Sequence, residues 1–524
     1  MATGAIGMFA LGAVADEILV PRAAPDNGSS DSAALDSGHA STSARPSPTS
    51  SPAPSTLYRS RGDLVTPPLT VTVPAAHAAP GYLFLAPTFG ATSDGAAIYD
   101  DRGSPVWMHP PKGTTRVEAF QASTFHDVPV LIWWEGTVSS VGLGAGQFVI
   151  ADATYTEIAR FGAGNGFDGD LHEFLLTPIG TAYIIAGRAV PLAAPIIVAP
   201  PPTPSPAPGA SLSSNLSPNA SPYEVTTVWE GIVQEIDVAT RNVLFEWHSL
   251  DHIDVGESYE PYPKNAGQAF DYLHLNSVDL DTDGNLLLSA RHTSTIYKID
   301  RTSGQVMWRL GGRKTDIAVA ADAAFSWQHD ARREADGTLS LFDDDLAPNQ
   351  SRGLVLDVDE TGMTASLVRA YPHPGGIRSI SQGSCQILPN GDMVVGWGSQ
   401  PNVSEFDARG SLVFDAQLAA GGSSYRALRF PWVGHPADDP AIALDLRQPG
   451  SVTAYVSWNG ATEVTTWELL GGRDADTMTP LATTPRTGFE TAIAIPSTPG
   501  AVAVRARDAS GAVLGTSPVV TTSS

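Results

Sequence analysis

His172, His274, Asn276, Arg291 and His329 are the side chains whose types and spacing could do chemistry. They emerge from one register. When the glycines following four apolar runs (Gly180, Gly284, Gly337 and Gly391) are aligned, the positions eight residues upstream are His172, Asn276, His329 and Gly383. His274 lies two residues before Asn276, on the same face of a strand, and Arg291 lies seven residues past Gly284. Three imidazoles, one guanidinium and one amide read as an anion site: Arg and charged His complement a tetrahedral oxyanion, and Asn donates without charge. A neutral imidazole in that setting can attack the anion's central atom and hold it covalently. A second can take the acceptor's proton and return one to the leaving group. No carboxylate is expected in the register, and a guanidinium opposes a cation, so no metal is expected. The G-x-S-x-G elbow of a serine hydrolase is absent.

The elements that must position these groups begin with Asp271–Val278, a turn at Asp281–Asn285, and Leu286–His292. Two apolar runs around a Gly turn predict a hairpin, with Asn276 opposite Arg291 and His274 opposite His292. Between 64 and 435, strand-turn-strand units recur six times, with about four strands each and a period near fifty residues. The predicted fold is therefore all-β: a six-bladed β-propeller followed by a small immunoglobulin/fibronectin-like β-sandwich. In a propeller the innermost strands line a central channel, so the five residues should meet at one positively charged mouth. From about 440 the texture changes to short alternating segments such as Val452–Trp458 and Val502–Arg507, as expected of the sandwich.

The expected domains are a signal-like apolar stretch at 1–22, a disordered Ser/Pro-rich linker at 23–60, the propeller at 61–438 and the sandwich at 439–524. A disordered insertion is expected at about 196–222, too poor in aliphatic residues to offset its ordering entropy. Ala13-Val14-Ala15 ends an uncharged run in a small-x-small pattern, so export is expected: secreted, or associated with the cell envelope. The run is too short to span a bilayer.

The chain has 524 residues with 55 acidic against 30 basic, a net charge of −25, which repels nucleic acid and anionic lipid. One cysteine, Cys385, excludes an intramolecular disulfide and a thiolate cluster; it reads as a small buried residue. Asp279, Asp281 and Asp283 imitate a calcium loop, but Ala290 stands where Glu is needed, so a plain hairpin turn is expected. Gly164-x-Gly166-x-x-Gly169 lacks the following helix of a dinucleotide site.

Asp170-Leu171-His172-Glu173-Phe174, Asp271 to Ser277, Ser289-Ala290-Arg291-His292 and Trp327-Gln328-His329 resemble the bacterial arylsulfate sulfotransferase family, over about 64–435. The resemblance implies a six-bladed propeller that moves a sulfuryl group from an aryl sulfate ester to a phenol, without an adenylyl-sulfate cofactor. It implies His329 as the sulfohistidine nucleophile, with His274, Asn276 and Arg291 binding sulfate oxygens and His172 assisting acid–base work or binding. The motifs are those of a divergent branch. The partners implied are a small aryl sulfate donor and a phenol acceptor. The alternatives are a non-catalytic binding module of the envelope and an aryl sulfate hydrolase.

Overall fold

Segments such as Leu286–Ala290, Thr295–Ile299 and Ala96–Tyr99 are buried along their whole length. Strands apolar on both faces must be covered on both faces, so the sheets stack against one another. The computed structural model describes residues 56–89, 92–93, 95–198, 223–263, 267–347, 350–448, 451–495 and 499–522. These belong to one compact unit. The expected signal segment, and the linker up to residue 55, lie outside the described residues, as do residues 199–222 of the expected insertion.

The described chain is all-β, in antiparallel sheets apart from one parallel pairing, of the short strand Ala318–Val319 with Thr364–Pro372, and one isolated parallel bridge. Its helical content is limited to the 3-10 turns Ser249–Asp251, Val255–Glu257 and Ala475–Thr477. No described helix is long and apolar enough to cross a membrane.

Six strands carry the residues of interest: β1 (Arg116–Phe125), β2 (Asp168–Leu176), β3 (Leu275–Leu280), β4 (His329–Arg333), β5 (Ser384–Ile387) and β6 (Gly422–Phe430). Each is flanked by a strand of its own meander, and β1 packs on β2, β2 on β3, β3 on β4, β4 on β5, β5 on β6 and β6 back on β1. The apolar cores alternate with the sheets. Val278, Leu286 and Tyr297 pack against Tyr183 and Val233 of the preceding sheet, and Leu287 and Trp308 against Leu339 and Leu356 of the next.

The ring closes through residues remote in sequence. β6 pairs with Tyr82–Phe89, and Thr70–Val73 pairs with Leu412–Gln417, so the first and last sheets each borrow a strand from the other end of the chain. Sequence periodicity does not reveal this, because the paired strands lie more than three hundred residues apart.

The strands flanking the expected insertion run further than expected. Thr181–Val198 and Tyr223–Asp237 form one long hairpin that includes Ile196–Val198. Residues 56–60, read as linker, are also ordered. Tyr58 packs on Phe489 with ring centroids 4.4 Å apart, and the Ser60 amide donates to Glu490 at 2.7 Å. Beyond 440, a three-stranded and a five-stranded sheet share one core containing Val452, Ala454 and Val456, with Trp467, Leu469, Ile493 and Val504.

Candidate functional site

Five of the six inner strands lose register near the site. Slips occur between Glu118 and Gln121, Gly169 and Phe174, Leu275 and Ser277, His329 and Arg332, and Ser424 and Ala427. Bulges re-aim side chains, and positive φ at a non-glycine stores strain that surrounding packing must hold. Ala119, His274, Trp327, Asp330 and Gln382 all have φ between 52° and 68°.

The result is a cavity of about 210 Å³ lined by His172, His274, Arg291 and His329 together, with His292, Glu118, Arg116 and Tyr425. Val138, Val141 and Leu171 give it an apolar side. Asn276 does not reach the lining. It sits in the β3 bulge, fully buried, donating Nδ2 to the Gln328 carbonyl at 2.7 Å. The bulge also shifts the hairpin from the expected pairing: the Arg291 amide donates to the His274 carbonyl at 3.0 Å, and the His292 amide to Leu273.

The expectation of no nearby carboxylate fails three times. His329 Nδ1 donates to Asp344 Oδ2 at 2.6 Å, His274 Nδ1 to Asp271 Oδ2 at 2.5 Å, and His172 Nδ1 to Asp170 Oδ1. Each carboxylate fixes its ring as the Nδ1–H tautomer and leaves Nε2 with a lone pair. The Gln382 amide donates to His329 Nε2 at 3.3 Å, which agrees with that tautomer.

Electrostatics correct a second expectation, that of a rim of charged imidazoles. Burial holds His329 well below the ordinary histidine range, and Arg291, His274 and His172 push it further down. Burial, His172 and Arg291 do the same to His274. His292 is lowered to about 3 by burial and by His274. Asp271 is raised by burial, so it and His274 both move toward their neutral forms. The standing positive charges in the lining are therefore Arg116, which is paired with Glu118, and Arg291. The Arg291 guanidinium lies 4.7 Å over the Trp327 ring and donates to the Ile380 carbonyl at 2.8 Å. His172 and His274 meet edge to face with centroids 4.8 Å apart.

The floor is a buried ionic layer. Tyr425 Oη donates to the His172 and Asn276 carbonyls at 3.1 and 3.0 Å. Arg426 donates to both oxygens of Glu173 at 3.0 and 3.1 Å, and Arg332 joins Glu173 at 2.7 Å to Asp330 at 2.8 Å. On its far side lies a second cavity of about 250 Å³, bordered by Glu173, Asp330, Arg332, Arg426 and Cys385. Burial raises the Cys385 thiol well above its usual range, so it is inert there.

Asp271, His274 and His292 offer three ligand atoms within 4.8 Å, the one such grouping among the described residues. Each imidazole Nδ1 is already committed to Asp271, to its carboxylate or its carbonyl, which explains their closeness without an ion. At the imitation calcium loop, Lys298 Nζ takes the cation's place, contacting Asp281 at 2.9 Å and Asp283 at 2.8 Å.

Residues sequence reasoning missed are Glu118 and Arg116 on β1, Tyr425 and Arg426 on β6, and the three carboxylates. Asp170 and Asp271 were readable from the D-x-H and D-x-x-H spacings; Asp344 was not, since it comes from the strand that follows β4.

Residues 213–419 match the model of the arylsulfotransferase (ASST) family. The stretch includes His274, Asn276, Arg291, His329 and Asp344 and leaves out Glu118, His172 and Tyr425. No curated protein matches the chain. Solved structures similar to it include a protein of unknown function from Bacteroides caccae, 12% identical, covering 67% of this chain and 99% of that one with a TM-score of 0.41. A streptogramin B lyase is 10% identical over 67% of this chain and 83% of its own, with a TM-score of 0.31. A luciferin-regenerating enzyme is 12% identical over 71% and 94%, with a TM-score of 0.30.

Proposed function

We propose, with the arylsulfotransferase match of residues 213–419 as premise, that this chain moves a sulfuryl group from an aryl sulfate ester to a phenol through a sulfohistidine at His329. The fold we propose for it is a six-bladed propeller with an accessory β-sandwich. The observation that carries the reading is His329 itself: a buried ring, favoured in its neutral form and held at Nδ1 by Asp344, in a cavity that Arg291 also lines.

A sulfate ester carries one negative charge, and Arg291 complements it. The rings of His274 and His172 wall the space around the reacting sulfur; with Nε2 unprotonated they position the group by contact and not by donating to its oxygens. The lone pair of His329 Nε2 attacks sulfur as the bond to the aryl oxygen breaks, and the aryl oxygen departs as phenolate. The ring then carries positive charge, which Asp344 stabilises at Nδ1. An acceptor phenolate attacks the same sulfur from the vacated side, the N–S bond breaks, and neutral His329 is restored. Positioning and charge stabilisation supply most of the rate in so loose a transition state.

A void of about 150 Å³ accommodates benzene, so about 210 Å³ has room for one aryl ring with its sulfuryl group. Export to the envelope or medium is part of the same proposal, resting on the apolar and Ser/Pro-rich N-terminal stretches.

The test is incubation with 4-nitrophenyl sulfate, with and without added phenol. Nitrophenolate release that needs phenol beyond a first stoichiometric burst supports transfer. Sustained release in water alone supports a hydrolase, and no burst at all supports a binding module.

A further inference from the structure

Glu118 is the strongest group in the cavity that the proposed reaction leaves without a task. It is 1% exposed and lines the same cavity as His172, His274, Arg291 and His329. Oε1 accepts from Arg116 Nη2 at 2.5 Å, while Oε2 is buried without any hydrogen-bond partner. Such an oxygen costs about 1–3 kcal/mol unless something meets it, so an unmet one at a cavity wall points to a ligand. The backbone is bent to put it there. The β1 register slips just after Glu118, and Ala119 is held at φ 52°.

Resting on the sulfuryl-transfer reading, we propose that Glu118 is the acid–base residue for the aryl oxygen. As the S–O bond of the donor breaks, the Glu118 carboxyl gives its proton to the departing phenolate oxygen, which leaves as neutral phenol. The resulting carboxylate takes the proton of the acceptor phenol as its oxygen bonds to sulfur and the N–S bond breaks. Each cycle returns the proton to Glu118, with no other reactant needed.

The environment suits the exchange. Burial raises Glu118 to about 7, opposed by Arg116 and His172. The other buried charged groups on the elements packed against β1 are engaged elsewhere, Arg429 on β6 by Asp101 and Glu405 among them, and Asp168 on β2 is exposed. On β2, Asp170 holds His172, and Glu173 holds Arg426 and Arg332. On β6, Arg426 is taken by Glu173 and Asp330. On the strand paired with β1, Glu135 is held by His109 and Arg160. A carboxyl titrating near neutrality can act as acid in one half-reaction and base in the other.

The experiment compares two donors, 4-nitrophenyl sulfate and 4-methylphenyl sulfate, following sulfohistidine formation in single turnovers. The nitrophenolate leaves readily without a proton, whereas the methylphenolate needs one. Glu118→Gln should slow labelling by the methylphenyl donor by about 10²–10⁴-fold, and by at least tenfold less with the nitrophenyl donor. In the unaltered protein, labelling by the methylphenyl donor should fall as pH rises through about 7. Arg116→Met removes the contact that opposes protonation, so it should move that limb to higher pH; this arm stands even if Glu118→Gln fails to fold. Equal losses with both donors, or a limb unmoved in Arg116→Met, overturn the assignment. Absence of any sulfohistidine in the unaltered protein with either donor overturns the transfer reading itself, a separate result.

Discussion

Asp344→Asn tests how the nucleophile is made. Asp344 is fully buried and accepts from His329 Nδ1 at 2.6 Å. Two effects follow from exchanging the carboxylate for an amide. The amide NH₂ can donate to Nδ1, which favours the Nε2–H tautomer and removes the lone pair that must attack sulfur. The substitution also removes a negative charge facing the imidazolium that sulfurylation creates. At an effective dielectric near 20, opposite charges about 4 Å apart attract by about 4 kcal/mol. Each 1.36 kcal/mol is tenfold in rate, so the loss should be on the order of 10³-fold in the first half-reaction. Donor binding, which rests on Arg291, should change by no more than a few-fold. The assay is the stopped-flow burst of nitrophenolate over a range of donor concentrations, with ¹⁵N NMR of the histidine rings reporting the tautomer. A burst slowed less than tenfold, with the tautomer unchanged, would refute the reasoning.

Further expectations concern stability and charge. Arg426→Met leaves Glu173 and Asp330 short of a buried partner, so it should cost about 3–5 kcal/mol in denaturant unfolding; a loss below about 1 kcal/mol would mean that water or relaxation replaces the guanidinium. Glu118, raised from 4.5 to about 7, binds its proton more tightly folded than unfolded, so its contribution to stability is present below about 4.5 and lost as pH rises through about 7. Glu118→Gln should therefore gain on the unaltered protein between pH 5 and 8, approaching about 3 kcal/mol at the upper end; melting curves whose separation is constant with pH would contradict this. Arg291→Met should raise the donor KM strongly and weaken inhibition by inorganic sulfate, while unchanged inhibition would remove Arg291 from the anion site.

Antiparallel strands were legible because doubly apolar runs ending in Gly turns have few other ways to be buried. The glycine register was informative at two of its positions: His172 and His329 line one cavity with His274 and Arg291. It misled at Asn276, since a bulge breaks the period of two and turns that side chain into the wall. Charge was misjudged for a different reason. Residue types suggest imidazolium, but burial and the neighbouring positive groups favour the neutral rings of His274 and His329. Glu118, Tyr425 and Arg426 carried no signal in the register, because β1 was not aligned with it and β6 joins a sheet begun more than three hundred residues earlier.

The central claim is a covalent sulfuryl group on one ring nitrogen. Brief exposure to 4-nitrophenyl sulfate alone, quenching under alkaline conditions and peptide mass spectrometry should find one sulfuryl group per chain, on His329, discharged by added phenol and absent in His329→Asn. Sulfuryl found on another residue, or nitrophenolate release undiminished in His329→Asn, would contradict the account.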